Sequence, residues 1–491
     1  MDKTIVDILQ QAGLLIAELW LLILAVAVLL LDVFSKRKRG YLTNALAIAG
    51  IIINFYFIYT TSQKYPIADQ ATFYFFDSLA VYRYTYLFQF LFNTSALLCL
   101  CLGMFGRDNK NVRRGEYLAL IIFMLLGLHL LAKPANFLIL YLAIELISFS
   151  AYMLTYFNLN KWGTEGSLKY LLFGAFSTAC MLYGISLLYA FTGSIDLEAL
   201  QQIVMQTDQV ASLLIVGLIL VGLVFKLAAF PFQGWAPDTY EVAPTPFVAF
   251  LSVAPKIGAV FIITLIWQQL DAINTSSQFL YYLLSFITLG SILFGNLGAL
   301  WQKKAKRLLA YSSIAHTGFL LLPLFNNSTN SMEPLLFYAF IFMIMNTAAF
   351  AWVYFMEVRL KSDKIDALSG CGKVQPFVSV LLLVIMISLT GLPITAGFTA
   401  KLFVFSELWQ SISTTNTLAS IVFIAGLINV LIALYYYLKF PYTAFFKNPP
   451  VTTLPFVLNV RQASFILVMT IPLIVFFFKP DWLLVLIESL S

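Results

Sequence analysis

Apolar runs long enough to cross about 30 Å of hydrocarbon recur along the whole chain. They fall near 14–33, 42–61, 79–104, 116–132, 135–157, 167–192, 211–230, 244–267, 278–301, 306–325, 334–357, 377–408, 417–446 and 463–486, which predicts fourteen membrane spans. The longest polar connections, around 193–210 and 447–462, are too short to fold alone. Two runs are interrupted by helix breakers, one around Ala229 to Gly234 and one around Gly391, Pro393 and Gly397. Five-span units beginning near Glu116 and Gln278 place these breaks at matching positions, about 162 residues apart. A unit with an odd number of spans must be followed by a copy that enters from the opposite side. The expected architecture is therefore an all-α polytopic membrane protein with two inverted five-helix repeats, each containing a broken helix. A three-span segment occupies 1–115, the repeats occupy 116–267 and 278–447, and a last span lies in 448–491. Paired broken helices of this kind point to an ion path.

Composition sharpens this picture. With 61% hydrophobic and 11% charged residues and a mean hydropathy of +0.89, the chain cannot hide its apolar surface in a water-soluble core. The first run, Leu14 to Leu31, contains Glu18 and precedes its basic cluster, so it reads as a retained span and not a signal peptide. The net charge of +6 resides in short loops. Most of the 29 Lys and Arg fall on one face, in Lys36, Arg37, Lys38 and Arg39, in Arg107, Lys110, Arg113 and Arg114, and in later loops at 161–169, 303–307, 359–373 and 439–461. Lys3, Lys64, Arg83, Lys133 and Lys479 fall on the other. Cytoplasmic loops carry the basic excess, which places both termini outside and implies no nucleic-acid partner. Cys99, Cys101, Cys180 and Cys371 give neither a disulfide framework nor an iron–sulfur spacing. The chain also has no phosphate-cradling glycine loop and no dinucleotide-binding unit. Energy for any transport is expected from a partner or an ion gradient.

The ionisable residues inside the spans are the candidate chemistry. An ammonium at membrane depth costs roughly 2.5 to 3.5 kcal/mol on insertion scales, so it marks an ion or proton path by default. Lys226 lies one turn before the first break, Lys256 lies mid-span, and Lys401 follows the second break. Lysine suits proton storage because burial and like charges loosen its proton while a carboxylate tightens it; arginine does not release its proton. Glu145, mid-span in Tyr141-Leu142-Ala143-Ile144-Glu145, needs a cation if it is ionised, and a static ion pair is the alternative reading. For Lys401 the alternative is snorkelling to the interface. His316 shares a helical face with Ser312 and Ser313, either as a proton relay or within a packed hydrogen-bond network. His129 lacks such polar company and reads as packed or interfacial, and a haem on the two histidines is disfavoured. Asp238 and Glu241 read as a proton mouth or as helix caps. Asp77, Glu18 and Asp32 fall near span ends and read as interfacial.

Three stretches carry a family resemblance. They are Phe230-Pro231-Phe232-Gln233-Gly234-Trp235-Ala236-Pro237-Asp238-Thr239-Tyr240-Glu241-Val242-Ala243-Pro244-Thr245-Pro246 with Ala249 to Lys256, Ser167-Leu168-Lys169-Tyr170 with Gly174-Ala175, and Lys306 to His316. Together they resemble the subunit N family among the antiporter-like membrane subunits of respiratory complex I, over nearly the whole chain. Subunits L and M and multisubunit sodium/proton antiporters resemble it in Trp235, Pro237 and Lys256, but differ in the stretch Phe250 to Pro255. The resemblance implies a half-channel in each repeat. Glu145 would pair with Lys226, Lys256 would connect the halves, and Lys401 would be the terminal lysine. It implies that NAD, flavin, iron–sulfur clusters and quinone are handled by partner subunits, with no cofactor in this chain. The implied neighbours are subunits M and K, in a bacterial inner membrane. Gln233 departs from the histidine common in the family and cannot titrate as histidine would, which removes support for a proton-uptake role there. Two other functions remain open: a monovalent cation/proton antiporter subunit working on gradients alone, and a membrane scaffold with static charges.

Overall fold

The computed structural model describes residues 11–34, 40–65, 71–106, 114–158, 161–271, 277–326, 332–412, 417–448 and 456–489. Of the loop charges used above, Lys3, Lys36, Arg37, Lys38, Arg39, Arg107, Lys110 and Arg113 lie outside these residues. Among the described residues, 13 helices are long and apolar enough to cross a membrane. The fourteenth expected span, 377–408, is built from two shorter helices because the chain breaks within it.

The chain divides into two compact units. The first comprises Met1–Leu223, Ile257–Ile273 and Ser489–Ser491. It contains α1 (Ile16–Phe34), α2 (Gly40–Lys64), α3 (Thr85–Gly103), α4 (Arg114–Leu131), α5 (Phe137–Thr155), α6 (Lys161–Thr192), α7 (Ala199–Gln206) and most of α8 (Gln209–Leu227). Within it α1 packs on α4 and α2, α3 on α2 and α4, and α4 on α5. Asn136 starts α5 by accepting from the Ile139 backbone N–H at 3.0 Å, an N-cap that satisfies one free donor. The large apolar side chains facing outward from α6, such as Leu172, Phe173, Phe176 and Tyr183, suit hydrocarbon or neighbouring helices.

One element of this unit departs from the expected pattern. The run expected to span from 79 instead begins with a hairpin, β1 (Thr72–Tyr74) and β2 (Leu79–Val81), and α3 starts only at Thr85. Leu79, Ala80 and Val81 are buried in extended form. Short apolar runs do not by themselves distinguish a strand from the first turn of a helix.

The second unit comprises Val224–Lys256 and Asn274–Glu488. After α8 come α9 (Trp235–Val242), α10 (Thr245–Leu251) and the start of α11 (Ala254–Asp271), whose remainder belongs to the first unit. Then follow α12 (Ser277–Leu300), α13 (Ala305–Leu321), α14 (Met332–Leu360), α15 (Cys371–Val374), α16 (Pro376–Thr390), α17 (Ala396–Ile412), α18 (Thr417–Phe446), α19 (Val460–Phe478) and α20 (Asp481–Ser489). Helices α13 and α14 are almost wholly buried, with α13 packed against α12, α9 and α14. The last expected span, 463–486, divides at Lys479-Pro480 into α19 and α20, as a proline without an N–H requires.

Candidate functional site

The site starts at the two breaks. α8 ends at Leu227, and Ala228 turns the chain with φ +50°, a conformation costing an L-residue about 1 to 2 kcal/mol. The break is anchored elsewhere in the second unit. The Phe230 N–H donates to Ser291 Oγ at 2.9 Å, and the Phe230 ring stacks on Phe294 with centroids 4.7 Å apart. A helix that stops leaves carbonyls without intrahelical donors. Here Trp235 Nε1 donates to Phe225 O at 3.1 Å and Thr317 Oγ1 donates to Leu227 O at 3.1 Å.

The second break uses the same logic with a different donor. α16 ends on Gly391, which at φ +83° adopts the left-handed cap, with Leu392 N–H and Gly391 N–H both returning to Ile387 O. The last carbonyls of α16 are met by the ammonium of Lys401, whose Nζ donates to Thr390 O at 2.6 Å and Leu389 O at 3.2 Å. A cation at a helix C-terminus is also favoured by the helix dipole. Gly397 lets α17 approach closely, since a Cβ there would fall 1.9 Å from Ser388 O. Lys401 therefore turns inward and does not snorkel.

Between the breaks runs α13. Lys256 Nζ donates to Ser313 O at 2.9 Å and to Thr317 Oγ1 at 3.0 Å. Thr317 also reaches Leu227 O, so one hydroxyl links Lys256 to the residue next to Lys226. Next to Thr317 in the chain, His316 Nδ1 meets Tyr338 Oη at 2.6 Å and Nε2 meets Tyr437 Oη at 3.1 Å. Tyr437 Oη in turn contacts Ser312 Oγ. Ser312, Tyr437, His316 and Tyr338 form a continuous chain of groups that each donate and accept, so a proton can move along it by reversing successive bonds. The Phe319 ring adjoins both ends of the remaining step. It lies 4.7 Å from Lys401 Nζ and 6.2 Å, centroid to centroid, from the His316 ring. Lys226, Lys256, His316 and Lys401 are each 5% exposed or less. The structure thus brings Lys256, at the start of α11, onto α13, which also carries His316, with Lys226 and Lys401 at the two breaks of the same unit. Glu145 lies in the first unit on α5, where its Oε1 is buried without a hydrogen-bond partner among the described residues. Gln233 Oε1 lies in the first break in the same condition.

At one end of α13, Arg307 Nη1 donates to Asp238 Oδ1 at 2.8 Å and Glu241 Oε2 at 2.9 Å, and Lys304 Nζ contacts Glu241. Burial raises the Glu241 pKa, but hydrogen bonds from Lys304 and Arg307 outweigh it and hold the carboxyl below its ordinary value. Lys304 is raised, first by its hydrogen bond to Glu241. Lys306, buried beside them, donates to Ala243 O at 2.8 Å and faces Glu357 at 3.4 Å. Asp238 and Glu241 therefore pair with the start of α13.

Sequence reasoning missed two groups. Tyr338 and Tyr437 were visible only as tyrosines in apolar helices, though a buried phenol needs a partner and that need is a usable signal. Glu18, expected at the interface near a span end, and Lys133, expected in an outside segment, are instead buried against each other, and His129 lies beside them.

Residues 135–429 match the family described as NADH:quinone oxidoreductase/Mrp antiporter, TM. Subunit N of NADH-quinone oxidoreductase from Chlorobium chlorochromatii is 35% identical over 91% of this chain and 88% of its own length. In solved structures, a chain of respiratory complex I from Thermus thermophilus with bound Aureothin superposes with TM-score 0.77 at 29% identity, covering 96% of this chain and 98% of that one. A chain of the Mrp complex from a Dietzia species shares the fold, with TM-score 0.79 at 16% identity over 98% and 97% of the two chains.

Proposed function

The chain belongs to the subunit N family of NADH-quinone oxidoreductase, the antiporter-like, proton-translocating membrane subunits of complex I, and from that premise we propose which of its residues move the proton. Lys226, Lys256 and Lys401 hold and release protons, His316 relays between Lys256 and Lys401, and Glu145 is the carboxylate of the first half-path. The observation that carries this reading is the polar row on α13. It holds two neighbouring sets of hydrogen bonds: Leu227 O, Thr317 and Lys256 in one, and the Ser312–Tyr437–His316–Tyr338 chain in the other, on the adjacent residues of the same turns.

The energetics favour a path over a scaffold. A buried ammonium is expensive unless oxygen atoms replace its water. The oxygens serving Lys256 and Lys401 are three backbone carbonyls and one hydroxyl: Ser313 O and Thr317 Oγ1 within α13, and Leu389 O and Thr390 O at the end of α16. Neutral acceptors hold an ammonium less tightly than a carboxylate does, so its proton can be given up when a neighbouring charge changes. Static packing gains little from such an arrangement, because apolar side chains would fill the same volume at lower cost.

Several finer features complete the proposal. The two broken helices belong to inverted repeats over 116–267 and 278–447, each a half-channel. Electrons pass from NADH through flavin and iron–sulfur clusters to quinone in other subunits, and this chain answers by electrostatic and conformational coupling. Its neighbours are the antiporter-like subunit M and the small subunit K, and the membrane is a bacterial inner membrane with both termini outside. Resemblance to the Mrp fold supports a second reading, cation/proton exchange without NADH. Exchange that persists in vesicles given only an ion gradient would carry it.

The test is proton pumping in sealed vesicles carrying the assembled complex, with Lys226→Ala beside the wild type. Pumping and coupled quinone reduction are expected to fall together by about tenfold or more in an intact complex. Wild-type rates in an intact complex would remove Lys226 from the path and favour a scaffold.

A further inference from the structure

A second buried ionic cluster lies in the first unit, apart from the α13 row. Lys133 Nζ donates to Glu18 Oε1 at 2.8 Å and to Leu14 O at 3.0 Å. Gln89 Nε2 donates to the same Glu18 Oε1 at 2.8 Å, and His129 Nδ1 stands 3.8 Å from it, beyond hydrogen-bond reach. Lys133 and His129 are fully buried and Glu18 is 3% exposed.

The backbone holds this arrangement in place. Ala80 of β2 donates to Lys133 O at 2.9 Å, Thr85 Oγ1 to Ala132 O at 3.1 Å, and Tyr82 Oη to Pro134 O at 2.5 Å. The hairpin and the start of α3 thereby turn the Lys133 side chain inward. The other ionisable groups around the cluster are Tyr86 on α3, which donates to Tyr65 O, Tyr65 and Lys64 at the end of α2, and Tyr74 on β1.

The carboxylate is used unevenly. Glu18 Oε1 receives two donors, whereas Glu18 Oε2, Gln89 Oε1 and both His129 ring nitrogens are buried without hydrogen-bond partners among the described residues. Leaving one such group unsatisfied costs about 1 to 3 kcal/mol, so four such atoms on three side chains of one cluster call for buried water. An ion pair kept only for stability does not need an extra, unbonded imidazole beside it.

We propose that Glu18, Gln89, His129 and Lys133 form a proton-binding site holding internal water, with the exchanging proton taken up at Glu18 Oε2. Uptake forms an O–H bond at Oε2 from a water-borne proton and leaves the Oε1 contacts to Lys133 and Gln89 intact. Release breaks the same O–H bond and returns the proton to water, with His129 as the alternate acceptor. This inference rests on the chain being a proton translocator but not on the α13 row being the path.

The experiment uses the assembled complex in sealed vesicles and reads protons pumped per quinone reduced across a pH series. Glu18→Gln keeps the shape and the Oε1-side hydrogen bonding but cannot exchange a proton; His129→Gln keeps the ion pair and removes the imidazole. In intact complexes either change is expected to lower the ratio about twofold or to shift its pH profile. If both variants assemble and leave ratio and profile at wild type, the cluster is a static pin and the proposal fails. If Glu18→Gln does not assemble, His129→Gln decides by the same criterion. Lys226→Ala in parallel keeps the two ideas apart, because its failure to alter pumping would sink the α13 path without touching this result.

Discussion

At the scale of single residues, glycine and lysine act together at the second break. Gly391 is required twice, by its φ of +83° and because a Cβ would fall 2.5 Å from Lys401 Cδ. Gly391→Ala would cost about 1 to 2 kcal/mol in backbone strain and push the lysine off its carbonyls. Coupled quinone reduction in this variant is expected to fall to near the level of Lys401→Ala, with the complex still assembled on a native gel. Activity at wild-type level would show that the Lys401 contacts with Leu389 O and Thr390 O are dispensable. The lysines and the glycine were legible in the sequence because ionisable and helix-breaking residues stand out in an apolar run. Their partners were not. Tyr437 lies 121 positions from His316 and Lys133 lies 115 from Glu18, and no local pattern spans such distances.

At the scale of elements, α13 is a spine whose two ends have different chemistry. Its buried middle carries neutral donors and acceptors, and its first turn is locked to α9 by Arg307 and Lys304 on Glu241. The sign of the pH dependence follows from the two shifts. Glu241 is lowered, so its contribution to the α9–α13 contact is fully present above the ordinary carboxylate value and lost as pH falls through its depressed one. Lys304 is raised, so its contribution is present below the ordinary lysine value and lost as pH rises through its elevated one. Hydrogen-exchange protection over 235–242, taken relative to the intrinsic rate at each pH, is expected to be greatest between those limits, and Glu241→Gln should abolish its acid-side loss. A loss of protection that survives the substitution would assign the pH response to another group. Spans and breaks were readable from hydropathy and Gly/Pro placement, whereas the β1–β2 hairpin was not. Its strands are three residues each; β2 was absorbed into the span expected from 79, and β1 lay in the connection before it.

At the scale of the whole molecule, the asymmetry of basic residues makes a claim about orientation. Asp77 at the hairpin turn and Lys361 after α14 are both exposed. With native cysteines replaced, Asp77→Cys is expected to react with a membrane-impermeant thiol reagent in intact cells, and Lys361→Cys only after permeabilisation. The reverse pattern would invert the topology and exchange the uptake and release sides of every residue discussed. Orientation also gives meaning to the lysine at the second break. Protonated, Lys401 offers three N–H groups to the open end of α16; neutral, it has one fewer and turns a lone pair towards oxygens that already carry their own. If Lys401 exchanges its proton as proposed, the hydrogen bonding of that helix end changes with a single proton. Such an arrangement would let protonation chemistry act as mechanical load inside one turn of backbone.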